Sequence, residues 1–409
     1  MTRFHVPGSG PTGWLLVCCL LASSVCLAGD EPARLDPDAP RPKPITPPTA
    51  EQIDAAITRG VDFLLKRQEK NGAWGSAHRT KQLNIYAPAP GAHHAFRTAV
   101  TSMCISALIE SGDKRPEVAK SLDRAEVWLF EHLPSLRRAD LPTIYNVWGH
   151  AYAIQGLVDM YRRHADDPAK QQKIKKLIEQ QVELLNRYEF LGGGWCYYDL
   201  RKVAYPPLPA AYTMSFVTAA VLVALDDARD IGVEIPKKMV DRAMDSIRRQ
   251  RKSDFSYLYG EYFKMRPMYG INRPGGSSGR SQACNLAMYR WQDEKTTLAV
   301  MRTWLDRLFA RNLWLEIGRK RPVPHEAWMK VAGYFYYFGH YYAAGCINEL
   351  DPSERPHYQQ HLAHILLPLQ EKDGSWWDFP LYDYHQQYGT AFAIMSLVAC
   401  RPDSTEKAK

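Results

Sequence analysis

Asp383-Tyr384-His385 puts a carboxylate, a phenol and an imidazole within three residues. A carboxylate can orient an imidazole for base or ligand duty, so this run is the candidate catalytic set. His93-His94 offers two imidazoles, but without the four-residue helical spacing that lets a pair converge on one metal. Cys196 and Asp199 follow the turn Gly192-Gly193-Gly194-Trp195, and with His385 they supply zinc-ligand chemistry. No Cys-x-x-Cys pair accompanies them, and no metal or other cofactor is expected. Polar and aromatic side chains also recur where loops enter weakly charged helices. His93, His94, Trp148, His150, Trp195, Tyr198, Asp199, Arg280 and Tyr388 are the candidate cavity and ligand-binding residues. For His150, set amid apolar residues, a satisfied core histidine is the plainer reading, and the tyrosine run 334–342 fits packing.

The elements that would position these groups read as helices throughout. Apolar Ile53, Ile57, Val61, Leu64 and Leu65 give a one-sided helix over 51–68. The same reading pairs it with 96–109, and then pairs 118–132 with 145–161, 173–188 with 210–228, and 237–251 with 279–291. It continues with 295–310 and 326–350, and ends with 355–369 and 388–400. The second members are the less charged; 217–225 and 389–399 carry no charge at all. Helices apolar all round belong inside, and a helical hairpin cannot hide its stripe alone. The expected architecture is therefore all-α, an α6/α6 toroid of six hairpins. An open solenoid is the alternative, but its terminal units would degenerate into caps. Here the terminal units hold the best-kept motif: Arg59 through Gln68 to Gly72 and Trp74 at the start, Gln370 to Gly374 and Trp376 at the end.

That motif is a basic residue, Gly or Ala, an aromatic, an aliphatic, Gln, then Gly-x-Trp. Arg59-Gly60, Phe63-Leu64, Gln68, Gly72 and Trp74 match every position. The copy ending at Trp376 keeps its second half, and the copy ending at Trp195 has Glu189 in place of Gln. It resembles the repeat of the prenyltransferase and squalene-cyclase superfamily over 51–400, which implies a single α/α-toroid domain. The glycines suit a left-handed turn, and the Gln and Trp read as joints between helices. The resemblance does not extend to chemistry. The triterpene cyclases carry an Asp-x-Asp-Asp acid run and two toroids, and the protein prenyltransferases an Asp-x-Cys zinc pair. The thioester-bearing toroids carry Cys-Gly-Glu-Gln. None of these runs occurs here. Asp226-Asp227 ends a helix and reads as a solvated terminus.

Residues 1–28 read as a signal peptide, with Arg3 and His5 ahead of an apolar run too short for a confident span. Residues 29–50, rich in proline, read as a disordered or extended tether, 51–401 as the toroid, and 402–409 as a polar tail. The net charge of +8 is scattered, with no nucleic-acid module, so no nucleic-acid partner is expected. Nor is a transmembrane helix expected in the mature chain. The five cysteines from Cys104 on are odd in number and widely spaced, and read as core thiols. The expectation is an exported, periplasmic or extracellular protein that binds a small-molecule, lipid-like or polysaccharide ligand in its central cavity. The alternatives are a cavity enzyme acting on an isoprenoid-like substrate, or a polysaccharide lyase or hydrolase.

Overall fold

In a computed structural model the described residues are 32–76, 90–136, 146–197 and 213–402. The expected signal peptide and all of the polar tail but Pro402 lie outside them. The chain divides between Ala33 and Arg34 into two units, of which the second carries the helices. These are α1 (Ala50–Arg67), α2 (Pro90–Glu110), α3 (Pro116–His132), α4 (Asn146–Arg163), α5 (Pro168–Tyr188), α6 (Ser215–Asp230), α7 (Lys237–Gln250), α8 (Pro274–Arg290), α9 (Leu298–Ala310), the short α10 (Asn312–Glu316), α11 (Phe335–Glu349), α12 (Arg355–Leu366) and α13 (His385–Val398). Among the described residues there is no strand, only the isolated bridges Ser76–Asp383 and Arg251–Tyr257.

The less charged helices form the inner wall. α2 packs on α4, α4 on α6, α6 on α8, α8 on α11, α11 on α13, and α13 returns to α2. The ring is closed, as an α/α toroid requires. From 215 to 226 α6 is buried at every position, whereas outer α1 buries one face. Inner helices approach closely where glycine allows it. A Cβ on Gly339 of α11 would lie 2.6 Å from the Cα of Gly279 on α8.

The repeated motif forms the joints of the outer layer. At each of three copies the Trp indole N–H donates to a carbonyl ten residues back: Trp74 to Leu64 (2.7 Å), Trp195 to Leu185 (2.9 Å) and Trp376 to Leu366 (2.9 Å). The same Trp backbone N–H donates to a threonine of the next inner helix, Thr101, Thr218 or Thr390, at 3.0 Å. Gln68 Nε2 closes its own loop at Gly72 O and reaches Ser121 O on α3, both at 2.9 Å. Gln370 does likewise with Gly374 O and with Ala56 O on α1, both at 2.9 Å. The motif's basic residue completes the joint from the following outer helix: Arg124 donates to Gln68, and Arg59 to Gln370. Where Glu189 replaces Gln, Arg242 of α7 meets it as an ion pair, Nε to Oε2 at 3.0 Å. The last joint therefore docks on the first helix.

The proline-rich segment belongs to the ring's unit from Arg34 on. Arg34 pairs with Asp306 at 2.5 Å and Leu35 N–H donates to Thr303 Oγ1 at 2.9 Å, both on α9. Thr49 then caps α1 in a capping box with Gln52. The largest difference from the sequence pattern is at the start of α11. α11 starts at Phe335 rather than 326, because Met329 and Lys330 hold left-handed φ of 61° and 56°.

Candidate functional site

The outer-to-inner connections are long in sequence: 68–89, 133–145, 189–214, 251–273, 311–334 and 367–384. The return connections 111–115, 164–167, 231–236, 291–297 and 350–354 are short. Described residues of the last four of the long connections and of the inner helices line a central cavity of about 530 Å³, within the ~300–1,000 Å³ usual for small-molecule sites.

The inner helices supply an aromatic wall of Phe96, Trp148, Tyr152, Phe216, Phe335, Phe338 and Phe392. Phe216 meets Phe335 edge to face at 5.0 Å and Trp148 at a tilt at 6.1 Å, while Trp148 and Tyr152 stack at 5.8 Å. The connections supply the rest, including Tyr197, Tyr259, Phe263, His325, Lys330, Tyr334 and Phe379. Among the described residues no carboxylate lines the cavity. Exposed apolar side chains stand on the same two loops that border it: Tyr262, Met265, Met268 and Tyr269 on one, Val323 and Trp328 on the other.

Polar groups reach the wall at two places. Tyr197 OH and Tyr259 OH share a hydrogen bond, Tyr259 OH meets Tyr334 OH at 3.1 Å, and Tyr334 OH meets His325 Nε2 at 2.9 Å. His325 Nδ1–H donates to Lys330 O at 2.7 Å, which leaves Nε2 as the acceptor. Burial holds the His325 imidazole below its ordinary pKa, with Arg280 acting in the same sense. The other place is Tyr388, whose OH donates to Asp378 Oδ1 at 2.7 Å, while Asp378 Oδ2 accepts from Tyr337 N–H at 3.0 Å. Burial pushes the Asp378 carboxyl up to about 7.

Of the residues singled out from the sequence, Trp148 and Tyr388 line this cavity. Arg280 lies behind the wall, over the faces of Tyr259 and Phe335 at 5.8 Å from each centroid. Trp195 is the joint described above. His150 is buried against α5 with Nδ1 2.7 Å from Gln181 Oε1, and burial takes its pKa to about 4. His93 bonds the Tyr384 hydroxyl, and His94 Nε2 lies 3.1 Å from His132 O. Asp383 and His385 take different partners. The carboxylate receives Arg67, Ser76 Oγ at 3.1 Å and Gln387 Nε2 at 3.3 Å, whereas His385 Nδ1 faces Tyr382 O at 2.5 Å. Tyr198 and Asp199 lie outside the described residues, so the Cys196–Asp199–His385 set does too. Among the described residues no group of three or more His, Cys, Asp and Glu could hold a metal. The five later cysteines are buried and unpaired with one another.

Tyr259, Phe216, His325 and Asp378 were not singled out from the sequence. The cluster Tyr257-Leu258-Tyr259-Gly260-Glu261-Tyr262-Phe263, aromatic and in a connection, was the available signal for the first.

No family model matches the chain, and no curated protein does. Among solved structures it is similar to cellobiose 2-epimerase from Bacillus thermoamylovorans B4167, with TM-score 0.52 and 10% identity, over 85% of this chain and 99% of that one. It is similar also to a family 76 glycoside hydrolase from a bovine Bacteroides thetaiotaomicron strain, with TM-score 0.50 and 12% identity, over 86% and 76%. A type II terpene cyclase, MstE from Scytonema, gives TM-score 0.47 and 15% identity over 87% and 99%. At such identities the likeness concerns fold alone, and that fold is the α/α toroid expected from the repeat. No described helix is long and apolar enough to cross a membrane.

Proposed function

We propose that this ring binds a lipid-like small molecule, isoprenoid or similar in its chain, within the central cavity of an exported protein. The observation that carries the reading is the wall itself: a cavity of about 530 Å³ faced by aromatic and aliphatic side chains. Burial gains about 0.8 kcal/mol per methylene, so a tail of roughly fifteen carbons gains on the order of 10 kcal/mol before association costs. A polysaccharide asks for the opposite surroundings, with many hydroxyl partners and a carboxylate pair across the scissile bond. Export rests on the sequence of 1–28, and N-terminal sequencing of chain recovered outside the cytoplasm would find cleavage near Ala28.

Chemistry on such a ligand is the second reading, favoured by Asp378. With its pKa near 7 the acid is substantially protonated at neutral pH, it reaches the wall through Tyr388, and aromatic faces stabilise cations.

Equilibrium dialysis of the purified chain against labelled farnesene and against a labelled manno-oligosaccharide tests the first reading. Micromolar retention of farnesene, reduced at least about tenfold by Phe216→Asp, is the expected result. Retention of the oligosaccharide alone would overturn it.

A further inference from the structure

The cavity is apolar on most of its surface, and one of the two places where polar groups reach it, the polar pole, has cations beside it. Tyr197, Tyr259, Tyr334 and His325 form a continuous hydrogen-bonded strip along the lining. Lys330 lines the same end. Behind Tyr259 stands Arg280, fully buried on α8. Its guanidinium donates to backbone carbonyls only: Tyr257 O at 2.9 and 3.1 Å, Gly276 O at 2.9 Å, and Ile271 O. Among the described residues no carboxylate pairs with it, whereas Arg251, also largely buried, pairs with Asp293 at 2.5 Å. Burial lowers Arg280 to about 10, so it remains charged at neutral pH. Lys252, bonded to Asn272 O at 3.0 Å, is held below the usual lysine range by burial, and Arg280 adds to that effect.

A buried cation with carbonyls as its acceptors has its hydrogen bonds but not its charge compensated. Its field falls on a strip of phenols in which Tyr334 donates to His325 Nε2 and the hydroxyls of Tyr197 and Tyr259 can rotate to donate elsewhere. We propose that this strip, with Arg280 behind it, is a head-group site, and that the ligand carries a single anionic oxygen group, carboxylate or phosphate, on its apolar chain. The inference deepens the lipid-like reading and rests on it. The phenols of Tyr197 and Tyr259 donate to the anion while Tyr334 keeps its bond to His325 Nε2, Arg280 compensates the charge across the Tyr259 ring, and Lys330 meets it from the rim. The tail then extends toward Trp148, Phe338 and Phe392. A donor strip backed by a fixed cation discriminates between ligands with the same tail but different heads, because only the anion uses both.

The test compares four probes of one chain length on the full protein by equilibrium dialysis: farnesene, farnesol, farnesoate and farnesyl monophosphate. The unsubstituted protein is expected to hold the two anions at least about tenfold more tightly than farnesene, with farnesol between. The double variant Tyr197→Phe/Tyr259→Phe removes the two donating hydroxyls without changing ring volume. It is expected to bring the anion-to-hydrocarbon ratio within about threefold while farnesene affinity stays as it was. Arg280→Gln should do the same; if that variant does not fold, the phenol pair decides. Equal binding of farnesoate and farnesene by the unsubstituted protein, farnesol as tight as farnesoate, or a ratio that survives the double variant would each overturn the head-group proposal and leave the lipid reading standing. Failure of all four to bind would overturn both.

Discussion

A tryptophan at each of three joints shows how much one side chain can coordinate. Trp376 is fully buried, its indole N–H closes its own helix end at Leu366 O, and its backbone N–H is tied to Thr390 of the inner layer. Trp376→Phe keeps an aromatic ring but deletes the donor. The expected cost is about 1–3 kcal/mol, read as a lower urea midpoint at unchanged slope. Asp378 supplies a pH prediction. Its proton is held more tightly in the folded chain than in the unfolded one, because burial raises its pKa to about 7. Stability from this group is therefore greatest below the ordinary carboxylate value near 4 and declines as pH rises toward 7. Asp378→Asn cannot ionise, and it can still bond both Tyr388 and Tyr337. The melting temperature of that variant minus that of the parent is expected to grow from pH 4 to 7 and then level; a flat difference would contradict the assignment. The joint tryptophans were legible because Gly-x-Trp recurs at fixed spacing after a helix. The polar pole was not, since Tyr197, Tyr259 and His325 come from separate connections that no period links. Asp383 and His385 illustrate the converse: neighbours in sequence, they straddle the start of α13 and bond different partners.

Between elements, the third joint tests whether the repeat is one device with interchangeable parts. Glu189 is nearly inaccessible, and its partner is Arg242 on the next outer helix. Glu189→Gln would restore the arrangement of the other copies and should change stability by less than about 1 kcal/mol. Arg242→Leu leaves a buried carboxylate alone and should cost about 3–5 kcal/mol. The double variant is expected to recover most of that loss, and denaturant titration of the four proteins closes the cycle. The close crossing of α8 and α11 gives a steric counterpart. Gly339→Ala puts a methyl 2.6 Å from Gly279 Cα, an overpacking cost of about 1–3 kcal/mol. Helix order and pairing were legible because the burial pattern has a period, whereas starts such as those of α2, α6 and α8 were five or six residues off. The start of α11 was missed because 326–334 has apolar and aromatic residues at helical spacing, while its backbone turns left-handed at Met329 and Lys330.

At the scale of the molecule, closure is decided by contacts between the two ends of the sequence. α13 lies against α1 and α2, Arg401 pairs with Asp54 at 2.9 Å and donates to Ser111 O at 2.8 Å, and Gln370 is tied to α1. Ends so placed can be joined. A permuted chain opened in the short turn 231–236 and linked across the old ends is expected to keep its helix content and unfold in one transition. Loss of cooperativity would speak against a continuous ring. Closure itself was legible from the strong terminal motifs, whereas the cavity's character was not, because it depends on which rings from separate connections turn inward. A closed circumference has a further consequence. A solenoid can lengthen its groove by duplicating a unit, but a wheel cannot take an extra spoke without changing its radius. The room available to a guest must then be adjusted by bulk at single positions on the wall. Ala99 and Val100 of α2 are the small residues there, and Ala99→Phe would set a shorter maximum chain length for whatever the wheel holds.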